Sequence, residues 1–153
     1  MSAPIPKLPI AVIGAGLAGL SCAQALLQSG HAVHVFDKSR GPSGRMSTRR
    51  AEDAAGPWQC DHGAQYFTAR DPQFRAEVAR WQQAGVAALW GARLASFDGS
   101  AWTTPATPLE RFVGTPRMTS PAGWLVQGLQ QAGDRALAQW QTTAQKLERH
   151  ACL

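Results

Sequence analysis

Three cysteines, Cys22, Cys60 and Cys152, are scattered along the 153 residues with no spacing of a metal site or redox pair. An odd, unpatterned set fits a reducing cytoplasm, which is the expected location. The four histidines, His31, His34, His62 and His150, form no ligand cluster, so no metal site is expected. His31 and His34 flank the start of an apolar segment and suit structural or exposed positions. No helix-turn-helix or RNP-type motif is present, and no nucleic-acid partner is expected. No Lys, Arg, Asp or Glu falls between Lys7 and Asp37, a gap that could suit a signal peptide or a spanning helix. Three glycines in the middle of the gap and a lead-in with one lysine and two prolines argue against both. Cys22 also lacks the upstream leucine of a lipoprotein cleavage site. No membrane association is expected, and Cys22 reads as a small apolar helix residue.

A hydrophobic content of 44% excludes a disordered chain, and the length suits one domain with a substantial core. Fifteen glycines and ten prolines imply many turns, as in an α/β fold with irregular connections. The net charge of +5 is uneven: Lys38, Arg40, Arg45, Arg49 and Arg50 share one 13-residue stretch. That cluster reads as a solvated loop, as a chance nucleic-acid patch, or, next to the segment described below, as a phosphate-facing loop.

The chain is organised around Ile10–Gly19. An apolar run, Ile10 to Ile13, ends in Gly14-x-Gly16-x-x-Gly19, and Leu20 to Leu27 follows with helical spacing. Val33-His34-Val35-Phe36 predicts a second strand, closed by Asp37, 23 residues after Gly14. Strand, glycine turn, helix, strand and acid in that order are the fingerprint of a dinucleotide-binding βαβ unit. The free N–H groups and positive dipole end of the helix N-terminus hold a pyrophosphate. Gly14 permits the tight turn, Gly16 lets the backbone approach the phosphates, and Gly19 lets the helix pack on the strand. Gly14, Ala15, Gly16, Leu17, Ala18 and Gly19 are therefore candidate cofactor-binding residues. Asp37 can accept hydrogen bonds from ribose hydroxyls and would repel a 2′-phosphate. Ser29-Gly30 suits a helix stop.

Residues 38–50 read as a loop, Lys-Ser-Arg-Gly-Pro-Ser-Gly-Arg-Met-Ser-Thr-Arg-Arg. Gly14–Gly19, Asp37 and then Gly41-Pro-Ser-Gly44-Arg45-Met46 resemble the amine-oxidase and renalase-like flavoproteins. In that family an arginine loop follows the acid and lies over the FAD pyrophosphate. The resemblance implies FAD as cofactor and adds Lys38, Arg40, Gly44, Arg45 and Met46 to its site. Arg45 can offer a guanidinium fork to phosphate. Residues 51–57 read as a turn with Gly56-Pro57. Trp-Gln-Cys-Asp-His-Gly-Ala-Gln-Tyr-Phe-Thr, from Trp58 to Thr68, resembles the family segment bordering flavin and substrate. On that resemblance Gly63 and Ala64 join the cofactor site, and Gln65 and Tyr66 line the substrate pocket. Asp61 and His62 are further polar groups there. A buried strand with Tyr66 and Phe67 as core is the competing reading, favoured for Phe67 and left open for Gln65 and Tyr66.

Asp71 as N-cap, Pro72 at the first position, and Phe74, Val78 and Trp81 on one face predict a helix over 71–85 ended by Gly85. Residues 86–104 read as β, with an Asp98-Gly99 hairpin turn and Ala101-Trp102-Thr103 returning. Phe112 to Met118 resembles the family's Val-Gly-x-Pro-x-Met segment, with Arg117 where the family has a small residue. Ser120-Pro121 should cap the helix that carries Trp124, Leu125, Gly128 and Leu129. In 134–153, Leu137, Trp140, Ala144 and Leu147 suit a helix, and Thr142 to Leu147 alternatively a strand.

The expected fold is α/β: a Rossmann-like FAD/NAD(P)-binding domain with a parallel sheet core and a small β-rich insertion. The expected division is a lead-in (1–8), a βαβ unit with arginine loop (9–70), an insertion (71–133) and a tail (134–153). The resemblance covers residues 10 to about 130, and family members are roughly twice as long. The fold is thus expected to be incomplete relative to the family, with even the third sheet strand a candidate for absence. The resemblance implies hydride transfer from a small reduced substrate, a dihydronicotinamide isomer or an amine, to FAD and then to dioxygen. Two alternatives stand beside it. One is a non-catalytic nucleotide-binding fragment or half of a split flavoenzyme, onto which a missing C-terminal half docks. The other is an NAD-binding Rossmann domain. No nucleophile or acid–base pair stands out as catalytic.

Overall fold

Chain order sets the architecture of the computed structural model, which describes residues 8–104 and 109–148. The elements are β1 (Ile10–Ile13), α1 (Leu17–Gln28), β2 (Val33–Phe36), β3 (Thr48–Asp53), β4 (Gly56–Asp61), α2 (Pro72–Gln83), β5 (Ala87–Leu89), β6 (Ser96–Phe97), β7 (Trp102–Thr103), β8 (Phe112–Gly114), α3 (Ser120–Gln130) and β9 (Ala136–Gln139). They group into two compact units, one of residues 1–46 with 122–153, the other of residues 47–121. The second unit is thus inserted in sequence between the two parts of the first, with boundaries at 46/47 and 121/122 where 70 and 133 were expected. Most of the expected lead-in lies outside the described residues.

The first unit is built on a three-stranded parallel sheet in the order β1-β2-β9. Val33 of β2 sits opposite Ile10 of β1 and Ala136 of β9, and Val35 opposite Val12 and Ala138. These positions share one face of the sheet, and Val12, Val33 and Val35 are buried. A parallel step from strand to strand takes a right-handed crossover. Two such steps in one direction, β1 to β2 to β9, place α1 and α3 on the same face. Leu20 and Ala23 of α1 and Leu125 and Leu129 of α3 are buried. The two helices are linked where Gln24 Nε2 donates to the Leu125 carbonyl at 3.4 Å. The opposite face carries Ile13 and Leu137, 54% and 42% exposed.

β9 overturns two expectations. The third strand of the parallel sheet is present, and residues 134–148 form neither a helix nor a strand at 142–147. The strand is Ala136–Gln139, after a single 3₁₀ turn at Gly133–Arg135, and residues 142–148 are irregular. A four-residue edge strand with one half-covered face has too short an alternation to compete with the helical spacing of its apolar neighbours.

In the second unit α2 begins as its sequence dictates: the Asp71 carboxylate accepts the Phe74 N–H at 2.9 Å, with Pro72 at the start. Val78 and Trp81 face inward, and Trp81 donates its indole N–H to Glu77 at 2.8 Å. The Phe67 ring meets Trp81 edge-on at 6.0 Å and stacks on Phe112 at 5.8 Å, so Phe67, itself half-buried, packs against the core rings. β5 pairs antiparallel with β8. The β6–β7 hairpin turns at Asp98, whose carboxylate accepts the N–H groups of Ser100 and Ala101 at 2.9 Å each. Those N–H groups hold the Asp98 carboxyl below the usual carboxylate range.

Three local expectations need correction. Residues 48–61, read as loop, turn and the start of a buried strand, form the β3–β4 hairpin, with Thr48 opposite Asp61. Both strands are largely exposed, so the sequence has no apolar alternation to show. Ser120 is the first residue of α3 and not its cap; its hydroxyl accepts the Arg117 N–H at 3.3 Å. Cys22 is helical but exposed. No described helix is long and apolar enough to cross a membrane.

Candidate nucleotide-binding site

β1 delivers the chain into the turn Gly14–Gly16. Gly14 has φ +101°, a conformation that costs a side chain and that glycine adopts freely. Its N–H donates to the Phe36 carbonyl at 2.7 Å, tying the turn to the end of β2. Gly16 then serves as N-cap of α1 without any side-chain cap, and no acid lies in the first turn. The N–H groups of Leu17, Ala18 and Gly19 therefore open onto the turn with the positive end of the helix dipole behind them. Gly19 lies where α1 crosses the turn: a Cβ there would stand 1.9 Å from the Gly14 carbonyl oxygen.

Asp37 is placed at the end of β2, as its position in the sequence requires, but its carboxylate is already engaged. One oxygen accepts the Ala15 N–H at 2.6 Å, and the other accepts the Ser39 N–H at 2.8 Å and the Ser39 hydroxyl. Burial raises its pKa, but these hydrogen bonds and the nearby Lys38 charge prevail and hold it below the ordinary value of 3.8. Asp37 thus braces the glycine turn from below. Its own backbone is held in turn by the third strand. The Asp37 N–H donates to Gln139 at 2.9 Å, and its carbonyl accepts the Thr142 N–H at 2.9 Å. Neither Ser39 nor the Gln139–Thr142 segment stood out in the sequence. Ser39 had a signal, since Asp followed two residues later by an N–H donor is an Asx-turn pattern.

The arginine loop docks on this turn. The Ser43 N–H donates to the Ala15 carbonyl at 2.9 Å, and Gly16 and Ser43 pair as a short parallel bridge. Ser43 is buried, with φ +116° and its hydroxyl donating to the Met46 carbonyl. Such a φ is costly for serine, so the loop spends conformational energy to lie against the turn. Gly44–Met46 forms a 3₁₀ turn with Met46 buried. Lys38, Arg40 and Arg45 are exposed, and none of the three has an ion-pair partner among the described residues. The structure brings together Gly14 to Gly19, Asp37, Lys38, Arg40, Gly44, Arg45 and Met46 within the first unit. A Cβ on Gly14 would meet nothing within 4 Å, and one on Gly16 only the Ser43 carbonyl at 4.0 Å. Open space, unpaired helix N–H groups and free cations fit a pyrophosphate-containing cofactor.

Gly63, Ala64, Gln65 and Tyr66 belong to the second unit, in the connection that follows β4. Asp61 and His62 have structural partners there. Asp61 Oδ1 accepts the Thr48 hydroxyl at 2.5 Å and the Met118 N–H at 3.2 Å, and His62 Nε2 lies 2.9 Å from the Ser47 hydroxyl. Gln65 is exposed. Tyr66 is 39% exposed and stacks on Trp90, with ring centroids 5.6 Å apart. Tyr66 is therefore a supported surface aromatic and not part of the Phe67 core.

Residues 12–81 match the family model described as NAD(P)-binding Rossmann-like domain. The chain is similar to zeta-carotene desaturase, chloroplastic/chromoplastic, of Arabidopsis thaliana, with 46% identity over 43 residues, covering 28% of this chain and 8% of that protein. Among solved structures it is similar to putrescine oxidase, both as wild type bound to putrescine and as a double mutant from a redesign of cofactor binding. Each has a TM-score of 0.42 and 21% identity, covering 65% of this chain and 21% of that one. The match therefore spans about a fifth of putrescine oxidase and less than a tenth of the desaturase. The match over residues 12–81 and the β1-β2-β9 sheet agree on the fold: Rossmann-like, mixed α/β with a parallel sheet.

Proposed function

We propose that this chain binds FAD and belongs to an oxidoreductase of renalase-like type. Such an enzyme takes a hydride from a small reduced substrate, a dihydronicotinamide isomer or an amine, and passes the electrons to dioxygen. The observation that carries the FAD assignment is the docking of the Ser43–Met46 loop on the Ala15–Gly16 turn. The turn and the helix alone would serve any dinucleotide; a second loop laid across the turn, with Arg45 at its exposed side, suits FAD. FAD, when bound, supplies the hydride acceptor. The N–H groups of Leu17, Ala18 and Gly19 hold the pyrophosphate, Lys38, Arg40 and Arg45 offset its charge, and Asp37 keeps the turn in shape. Within the second unit, Gln65 and Tyr66 offer a polar group and a ring to a small substrate.

A second reading, one half of a split flavoenzyme, is favoured by the uncovered sheet face at Ile13 and Leu137. Parallel sheets are ordinarily covered on both faces, and the remaining polypeptide of a flavoenzyme is the occupant that reading requires. The experiment is to load the purified chain with FAD, supply a dihydronicotinamide isomer or, separately, an amine, and follow flavin bleaching without air and then peroxide release once air is admitted. Bleaching with peroxide release supports the oxidoreductase; FAD retained with no bleaching by either substrate class favours the split-enzyme reading.

A further inference from the structure

The second unit holds an arginine that none of the nucleotide chemistry uses. Trp90 follows β5 and Arg111 precedes β8, and the Trp90 N–H donates to the Arg111 carbonyl at 2.7 Å. The two side chains therefore leave neighbouring positions of one ladder. The Tyr66 ring meets both. It stacks on Trp90 at an interplanar angle of 21°, and the Arg111 guanidinium carbon lies 5.0 Å from its centroid. Arg111 Nη1 donates to the Leu109 carbonyl at 3.1 Å. Nε is buried and has no acceptor among the described residues.

An unpaired buried donor is costly, more so on a charged group. Nε shares an edge of the guanidinium with Nη2, and that edge is the fork that chelates a carboxylate. Leu109 anchors the opposite nitrogen, so the fork is oriented before any ligand arrives. Beside it, Tyr66 and Trp90 are 39% and 38% exposed, offering ring faces on which a planar ligand can stack. One arrangement uses all three features.

We propose that Tyr66, Trp90 and Arg111 form a recognition site for a planar aromatic carboxylate, its ring against the Tyr66–Trp90 pair and its carboxylate on the Nε edge of Arg111. The ligand gains access when the half-exposed Tyr66 ring shifts from the guanidinium, exchanging a cation–π contact for a charge-assisted hydrogen-bond pair. The inference deepens the pocket role given to Tyr66 and rests on that reading for any link to turnover. Binding itself does not require flavin.

The test uses benzoate and its neutral isostere benzamide on the purified full chain without added FAD. Affinity is measured by calorimetry, and the Arg111 Nε–H resonance is followed by ¹H–¹⁵N NMR. Benzoate should bind at least about tenfold more tightly than benzamide, and the Nε–H resonance should move as benzoate is added. Arg111→Gln removes both charge and fork and should erase the preference, Arg111→Lys keeps the charge without the fork and should lower it, and Tyr66→Phe keeps the ring and should retain it. Equal affinity for the two probes, failure of both to bind, or an unmoved Nε–H resonance overturns the proposal, and the NMR result stands even if the Arg111 variant does not fold. Flavin retention is scored separately. A chain that binds FAD but not benzoate refutes this site alone, and one that binds benzoate but not FAD refutes the flavin reading alone.

Discussion

Substituting Gly19 by alanine is a severe test of how the nucleotide cradle is built. An added Cβ would stand 1.9 Å from the Gly14 carbonyl oxygen and 3.0 Å from its carbon, while real Cβ atoms essentially never come closer than 3.0 Å. The obstacle is backbone, and it belongs to the turn that shapes the site, so no side chain can swing away. Either α1 retreats from β1 or the turn deforms. Overpacking of this kind costs about 1–3 kcal/mol, against roughly 1 kcal/mol that alanine gains over glycine in a helix. The same change at Gly123 in α3 is the internal control, because a Cβ there meets nothing within 4 Å. Gly123→Ala should be neutral or stabilise by about 0.5–1 kcal/mol. Gly19→Ala should lower Tm by up to roughly 8 °C and weaken FAD binding by at least about tenfold, as the N–H groups proposed to hold the pyrophosphate move out of register. Urea unfolding followed by circular dichroism, with FAD titration of each variant, measures both effects. Equal stability and equal FAD affinity for the two alanine variants would refute the close-packed turn.

Three further outcomes follow from individual contacts. Asp37→Asn should weaken FAD binding by several-fold, because a neutral amide is a poorer acceptor for the Ala15 and Ser39 N–H groups. The pH dependence has a definite sign: the folded-state value lies below the ordinary 3.8, so the contribution of Asp37 to stability is full above that pH. It is lost as pH falls through the lower folded value, and the acid limb of a thermal-melt series should be shallower in Asp37→Asn. Asp71→Ala removes the side-chain cap of α2 and should cost about 1 kcal/mol in urea unfolding, with FAD affinity unchanged. Trp81→Ala should cost about 3–5 kcal/mol, since it empties a buried site against Phe67 and Phe74 and removes the indole donor to Glu77; a loss under 1 kcal/mol would contradict the packing described for the second unit.

The parts of the fold that were legible in the sequence are those whose local chemistry decides them. Ile10–Ile13, the glycine turn and Val33–Phe36 occupy the expected residues because an apolar run ending in Gly14, and an acid ending β2, admit few alternatives. The Asp71-Pro72 start of α2 and the Asp98-Gly99 turn were equally plain, each being a cap or turn with its own side-chain acceptor. What the sequence hid depends on distant partners. β9 is a strand because β2 offers it a ladder 103 residues earlier in the chain, and Ala136–Gln139 has little strand character of its own. The β3–β4 hairpin is exposed on both faces, so its residues carry no burial signal. In the site, Gly14–Gly19 and Asp37 were readable from spacing. The engagement of Asp37 with Ala15, and the support it receives from Gln139 and Thr142, depend on β9 and were therefore hidden with it. Nothing in the sequence flanking Arg111 marks a guanidinium whose Nε has no acceptor among the described residues.

The central claim is that the turn at Gly14–Gly16, with the Ser43–Met46 loop across it, holds FAD. The direct measurement is the visible absorption spectrum of the purified chain after incubation with FAD and gel filtration, with NAD⁺ tested in parallel by calorimetry. The account predicts that the two visible flavin bands travel with the protein, are lost in Gly19→Ala, and persist in Gly123→Ala, while NAD⁺ binds more weakly than FAD. A colourless chain that FAD does not reconstitute, or one that prefers NAD⁺, would contradict it.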